Sequence, residues 1–123
     1  MNIKLTLLTA AFVASSFVAT PAMANDQLAL SICSYVADDN KNSLRKTLSD
    51  NRLRLRNVYD SIVCDGLPLV RHAIKSNAVD SASFIISQLP SSQVAAYGDI
   101  EWAQTNGFAN SEILNAIKER SAS

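Results

Sequence analysis

One histidine, two cysteines, three glycines and three prolines are all that this 123-residue chain holds of the residues that most often carry metal, thiol or hinge chemistry. With one histidine, His72, and two cysteines that read as a disulfide pair, a metal site has only carboxylates left to complete it. Asp38-Asp39-Asn40 lacks the spacing and the glycine of a calcium loop. No phosphate loop, dinucleotide fingerprint or Ser-His-Asp order is present, and Asp99 and Glu101, two residues apart, fall on different faces of a helix. No metal and no cofactor is expected. Aromatic residues make up 7% of the chain, and only Tyr59 lies near the basic residues described below. That is too thin for the stacking platform of a single-strand nucleic-acid site, so nucleic acid is not an expected partner.

What the chain does have begins with its leader. MNIKLTLLTAAFVASSFVATPAMA carries one lysine, an apolar run from Leu5 to Val18 and a small-residue end at Ala22-Met23-Ala24. This is the pattern of a secretory signal peptide cleaved after Ala24. With no cysteine near the cut, a lipid-anchored form is not expected. The run is shorter than the roughly 20 residues of a spanning helix and no second one follows, so no membrane span is expected after cleavage. Residues 25–123 then read as one small domain in the periplasm or outside the cell. No low-complexity linker divides it.

Cys33 and Cys64 are the only cysteines, and export places them in an oxidising compartment. An even pair there reads as one disulfide. The two are not a C-x-x-C pair, so a thioredoxin-like redox role lacks its motif.

Apolar residues recur at helical spacing almost throughout. Leu28, Ala29, Ile32, Cys33 and Val36 share the face of a first helix that ends in Asp38-Asp39-Asn40. Leu44, Leu48, Leu55, Val58, Tyr59 and Ile62 fit the same period with a break near Asp50-Asn51 and Leu53 outward. Arg52-Leu53-Arg54-Leu55-Arg56 nevertheless alternates as an edge strand does, so a short strand at 52–56 is the alternative. After Cys64, Asp65 or Gly66 is expected to cap a helix with Pro68 in its first turn and Leu69, Val70, Ala73 and Ile74 on its buried stripe. At about 100° per residue, His72 falls roughly 130° from the centre of that stripe and is expected at the surface beside Arg71. Asp80 is expected to cap the returning helix, which buries Ala82, Ile85, Ile86 and Leu89. Gln93 to Thr105, a left-handed stop at Asn106-Gly107, and a last helix burying Ile113, Leu114 and Ile117 complete an all-α domain of five or six helices in stacked hairpins.

Within this pattern, Asp65-Gly66, Leu69, Ala73, Asn77 and Ile85-Ile86 resemble one ankyrin-type unit over residues 65–89, without its T-P-L-H signature. A broader likeness covers Ile32 to Pro90. Cys33, the Arg-Leu-Arg-Leu-Arg block, Cys-x-Gly at 64–66 and the following Leu-Val-Arg-x-Ala are similar to a family of small exported Gram-negative proteins described only as a domain of unknown function. Asp65 and His72 stand where that pattern leads one to expect Asn and an apolar ring. The resemblance implies no activity.

Charge is segregated. From Lys41 to Lys75 eight basic residues face three acidic ones, a net +5, while residues 25–40 and 76–123 each carry −3. Arg45, Lys46, Arg52, Arg54, Arg56, Arg71 and Lys75 are the candidate anion- or partner-binding residues, since guanidinium groups hold carboxylates and phosphates in bidentate fashion. The partner expected is an anionic envelope component or an acidic protein. Internal pairing of these arginines with Asp38, Asp39, Asp50, Asp60 and the acidic C-terminal helices is the competing reading. The function expected is a non-enzymatic binding or interaction module. One alternative is a thiol enzyme or redox protein using Cys64 and His72, which requires a free thiolate. Another is an envelope component self-associating through Trp102, Phe108 and the last helix.

Overall fold

A computed structural model describes residues 21–123, with side chains from Gln27 onward, so the leader assigned to residues 1–24 lies almost wholly outside the described residues. Helix α1 (Pro21–Ala37) buries Ile32 and Val36. It ends at Asp39, in the left-handed region at φ 53°. The next residue, Asn40, caps α2 (Lys41–Asp50) by accepting from the Ser43 N–H at 3.1 Å. Leu44 and Leu48, one turn apart, are the buried ridge of α2.

The break near Asp50-Asn51 is present, and no strand forms at 52–56. Arg52 takes φ 54°, the Arg52 N–H donates to Ser49 O and the Leu53 N–H donates back to Leu48 O at 2.9 Å. This is the paired 5→2 and 6→1 closure of a Schellman stop. The alternation of arginine and leucine belongs to that turn and to the start of α3 (Leu55–Val58). Leu53, expected outward, is half-buried because the stop folds it back over the end of α2.

A 3-10 turn at Tyr59–Ser61 leads into β1 (Val63–Cys64), which pairs antiparallel with β2 (Leu67–Pro68). Asp65 and Gly66, at φ 52° and 82°, form the two-residue turn between them. Two successive left-handed residues suit a tight hairpin, so Asp65-Gly66 turns a hairpin where a helix cap was expected. Pro68 itself occupies the N-cap of α4 (Leu69–Ser76). The Cys33–Cys64 disulfide ties β1 to α1, with Cα atoms 5.7 Å apart.

Helix α4 buries Leu69, Val70, Ala73 and Ile74 as the spacing predicts, and also His72, which is 8% exposed. The single-stripe geometry that put His72 at the surface fails because α4 is central. Helix α1 covers one side of it, and α5 (Val79–Gln88) and α7 (Asp99–Thr105) cover others. Asp80 is not the cap of α5, which starts one residue earlier with Ala78 at its N-cap. The capping oxygen comes from afar: Asp39 Oδ1 accepts from the Ser81 N–H at 2.8 Å. The stretch from Gln93 to Thr105 is two elements, α6 (Ser91–Ala96) and α7, divided at Gly98 with φ 67°. Ser111 Oγ accepts from the Ile113 N–H at the start of α8 (Ile113–Ser121). Among the described residues eight α-helices result where five or six were expected, because two segments are interrupted. All contribute to an all-α domain with a single core. Among the described residues no helix is long and apolar enough to cross a membrane.

Candidate functional site

The basic residues of the central segment divide into three environments. Arg71 is turned inward. Its Nε donates to Asp99 Oδ1 at 2.7 Å, its Nη2 donates to Tyr97 O at 2.8 Å, and its guanidinium lies 5.4 Å from the Trp102 ring centre. Arg71 is therefore a structural residue joining α4 to the α6–α7 turn, and it leaves the candidate contact face. Arg52 and Lys75 are exposed, one on the Schellman stop and the other in the last turn of α4.

Arg45, Lys46, Arg54 and Arg56 come together on one groove of about 800 Å³. The groove forms because α2, the stop after it and α3 close around the C-terminal end of α5. Leu48, Leu55 and Leu89 make a buried floor, and Leu53, Phe84 and Pro90 remain half-buried on it. A fifth cation, Arg120 of α8, joins them and is held by its Nε donating to Leu89 O at 2.9 Å. Arg45 lies over the Phe84 ring, 5.9 Å from its centre. The residues that line the groove include no carboxylate.

Internal pairing accounts for little of this charge. Among the described residues the ion pairs are Lys46–Asp50 at 2.8 Å, on the surface, and Arg71–Asp99. The Asp50 hydrogen bond raises the Lys46 pKa above its usual value. Among the described residues, Arg45, Arg52, Arg54 and Arg56 have no carboxylate within ion-pair distance. Of the acidic residues named as partners, Asp50 and Asp99 make these two pairs, Asp39 caps α5, and Asp60 accepts from the Tyr97 hydroxyl at 2.9 Å.

Sequence reasoning missed Arg120, and it reached Asp99 only among the acidic C-terminal residues offered for internal pairing. Arg120 lies 64 residues beyond Arg56 and carries no local signal of its destination. Asp99 is 2% exposed, and burial raises its carboxyl pKa while the Arg71 guanidinium pulls it part of the way back. Tyr59, buried beneath Tyr97 with ring centres 4.9 Å apart, accepts from the Val70 N–H at 3.1 Å, and burial raises its phenol pKa.

The remaining candidates lie elsewhere. Cys33 and Cys64 are joined and no free cysteine exists. His72 Nε2 sits 3.0 Å from Cys33 O. Trp102 and Phe108 stack on each other at 5.7 Å and pack against the core.

Residues 32–96, more than half of the chain, match the family described as Protein of unknown function (DUF3718). The chain belongs to this family. The match begins one residue before Cys33 and ends with α6, so the family segment holds the disulfide, the hairpin and every groove cation except Arg120. No curated protein and no solved structure matches the chain.

Proposed function

We propose that this member of the family is an exported, non-enzymatic binding module that holds an anionic ligand or partner in the groove between α2, α3 and α5. The observation that carries this reading is the gathering of Arg45, Lys46, Arg54, Arg56 and Arg120 around one groove whose lining contains no carboxylate. Lys46 has Asp50 beside it, but the four arginines are brought together without counter-charge and repel one another, and an anion entering the groove relieves that repulsion while accepting charge-assisted hydrogen bonds. The leader ending at Ala22-Met23-Ala24 and the Cys33–Cys64 disulfide support work in the periplasm or outside the cell, where disulfides persist.

The test is retention on immobilised polyglutamate across a salt gradient. Retention is expected to weaken as salt rises through the physiological range, since exposed charges are screened there. Arg45→Ala, Arg54→Ala and Arg56→Ala together are expected to abolish it, while Arg52→Ala and Lys75→Ala, both outside the groove, leave it in place. Retention that ignores salt and survives the triple change would sink the reading.

A further inference from the structure

The groove is not only cationic, and its other lining restricts what can occupy it. We propose that its occupant is an extended segment of a partner protein in which carboxylates flank an apolar side chain; this rests on the anion-binding reading above. The charge comes from three separate parts of the fold: Arg45 and Lys46 from α2, Arg54 and Arg56 from the stop and α3, and Arg120 from α8. Anionic groups spaced along a chain can meet all three, whereas one compact anion meets only those nearest to it.

Between the cations, Leu53, Phe84 and Pro90 are half-buried apolar surface on the groove, Phe84 with the Arg45 guanidinium over its ring. A purely polar anion leaves that surface wet, while an apolar side chain gains by covering it at roughly 25 cal/mol per Å². Asn42, Ser49 and Gln88 also line the groove and are exposed, so their amides and hydroxyl are available to a peptide main chain. A lipid acyl chain in the same place would desolvate those groups and the guanidiniums without supplying hydrogen bonds in return. Acidic-motif capture by clustered arginines is an established mode of peptide recognition.

The experiment is a titration of the isotope-labelled, disulfide-bonded protein followed by amide shifts in nuclear magnetic resonance. Three capped pentapeptides serve as probes: Glu-Glu-Leu-Glu-Glu, the same with glycine in the centre, and Gln-Gln-Leu-Gln-Gln. Pyrophosphate and phosphatidylglycerol vesicles are titrated in parallel. The leucine-centred acidic peptide is expected to shift the amides of Asn42, Ser49 and Gln88 and to bind about tenfold more tightly than either control peptide. Arg54→Ala with Arg56→Ala, both exposed and without ion pairs, is expected to weaken it by about the same factor, with the unperturbed spectrum reporting that the variant is folded.

Equal binding of the leucine and glycine peptides, or preference for pyrophosphate or vesicles over every peptide, overturns the peptide assignment and leaves anion binding standing. Failure of all five probes to shift any groove amide overturns both.

Discussion

Asp99 is a buried ionisable residue whose two carboxylate oxygens are unequally satisfied. One carboxylate oxygen holds Arg71 Nε, and the other is buried without a hydrogen-bond partner. Burial raises its pKa above the ordinary 3.8, with Arg71 opposing. A carboxyl whose folded pKa is raised is protonated in the native state at pH values where the unfolded chain has already lost the proton. Unfolding then releases a proton, and stability falls as pH rises. The loss starts near the unfolded pKa and is complete once pH has passed the folded one. Urea midpoints measured upward from pH 3.8 are expected to show this decline, and Asp99→Asn to flatten it, since the amide does not titrate. His72 is a different kind of buried polar residue, held by Cys33 O beside the disulfide. Its burial was illegible in the sequence because a stripe drawn on one helix assumes one neighbour, and α4 has several.

At the scale of elements, the fold depends on left-handed helix stops, and glycine is too scarce to supply them all. Asp39, Arg52, Asn77 and Gly107 all take positive φ after a helix, and in each case the next residue donates to a carbonyl five positions back: Asn40 to Tyr35 O, Leu53 to Leu48 O, Ala78 to Ala73 O and Phe108 to Ala103 O. Asparagine and aspartate tolerate this region, whereas a long side chain such as arginine carries the full Cβ clash. Arg52→Gly is therefore expected to stabilise the protein by about 1 kcal/mol. A thermal unfolding curve shifted upward, with groove binding retained, is the expected result. Asp39 does double duty, since its Oδ1 also caps α5 at the Ser81 N–H. Asp39→Ala loses both functions and is expected to cost about 2 kcal/mol, while Asp39→Asn, which can still cap and still adopt positive φ, is expected to lose far less. Chemical unfolding of the two variants side by side separates them. The stop at Asn106-Gly107 was legible from residue type. The stop at Arg52 was not, because arginine gives no local signal for it and the alternating leucines imitate a strand.

For the whole molecule, the disulfide closes a loop between residues 31 positions apart and ties α1 to the hairpin that starts α4. In the chain-entropy model such a loop contributes roughly 3 to 4 kcal/mol, a large share for a domain that buries only about two-thirds of its unfolded surface. Urea unfolding with and without reductant, and of Cys33→Ser with Cys64→Ser, is expected to show both treatments lowering the midpoint by the same amount. Binding follows a division the one-dimensional charge pattern does not contain. Of the seven basic residues that stand out along the chain, Arg45, Lys46, Arg54 and Arg56 line the groove, Arg71 is taken into the interior by Asp99, and Arg52 and Lys75 stay apart.

The sequence by itself determined the helical class, the core positions of nearly every helix and the pairing of Cys33 with Cys64, because periodicity and an even cysteine count act over short distances or leave no alternative partner. Only the tertiary structure decided which charges are free, since pairing depends on elements far apart in the chain. It brought Asp99 to Arg71 across 28 residues and Arg120 to the groove through Leu89 across 31. The same long-range packing buried His72, took α5's capping oxygen from Asp39 and placed uncompensated arginines around an apolar floor.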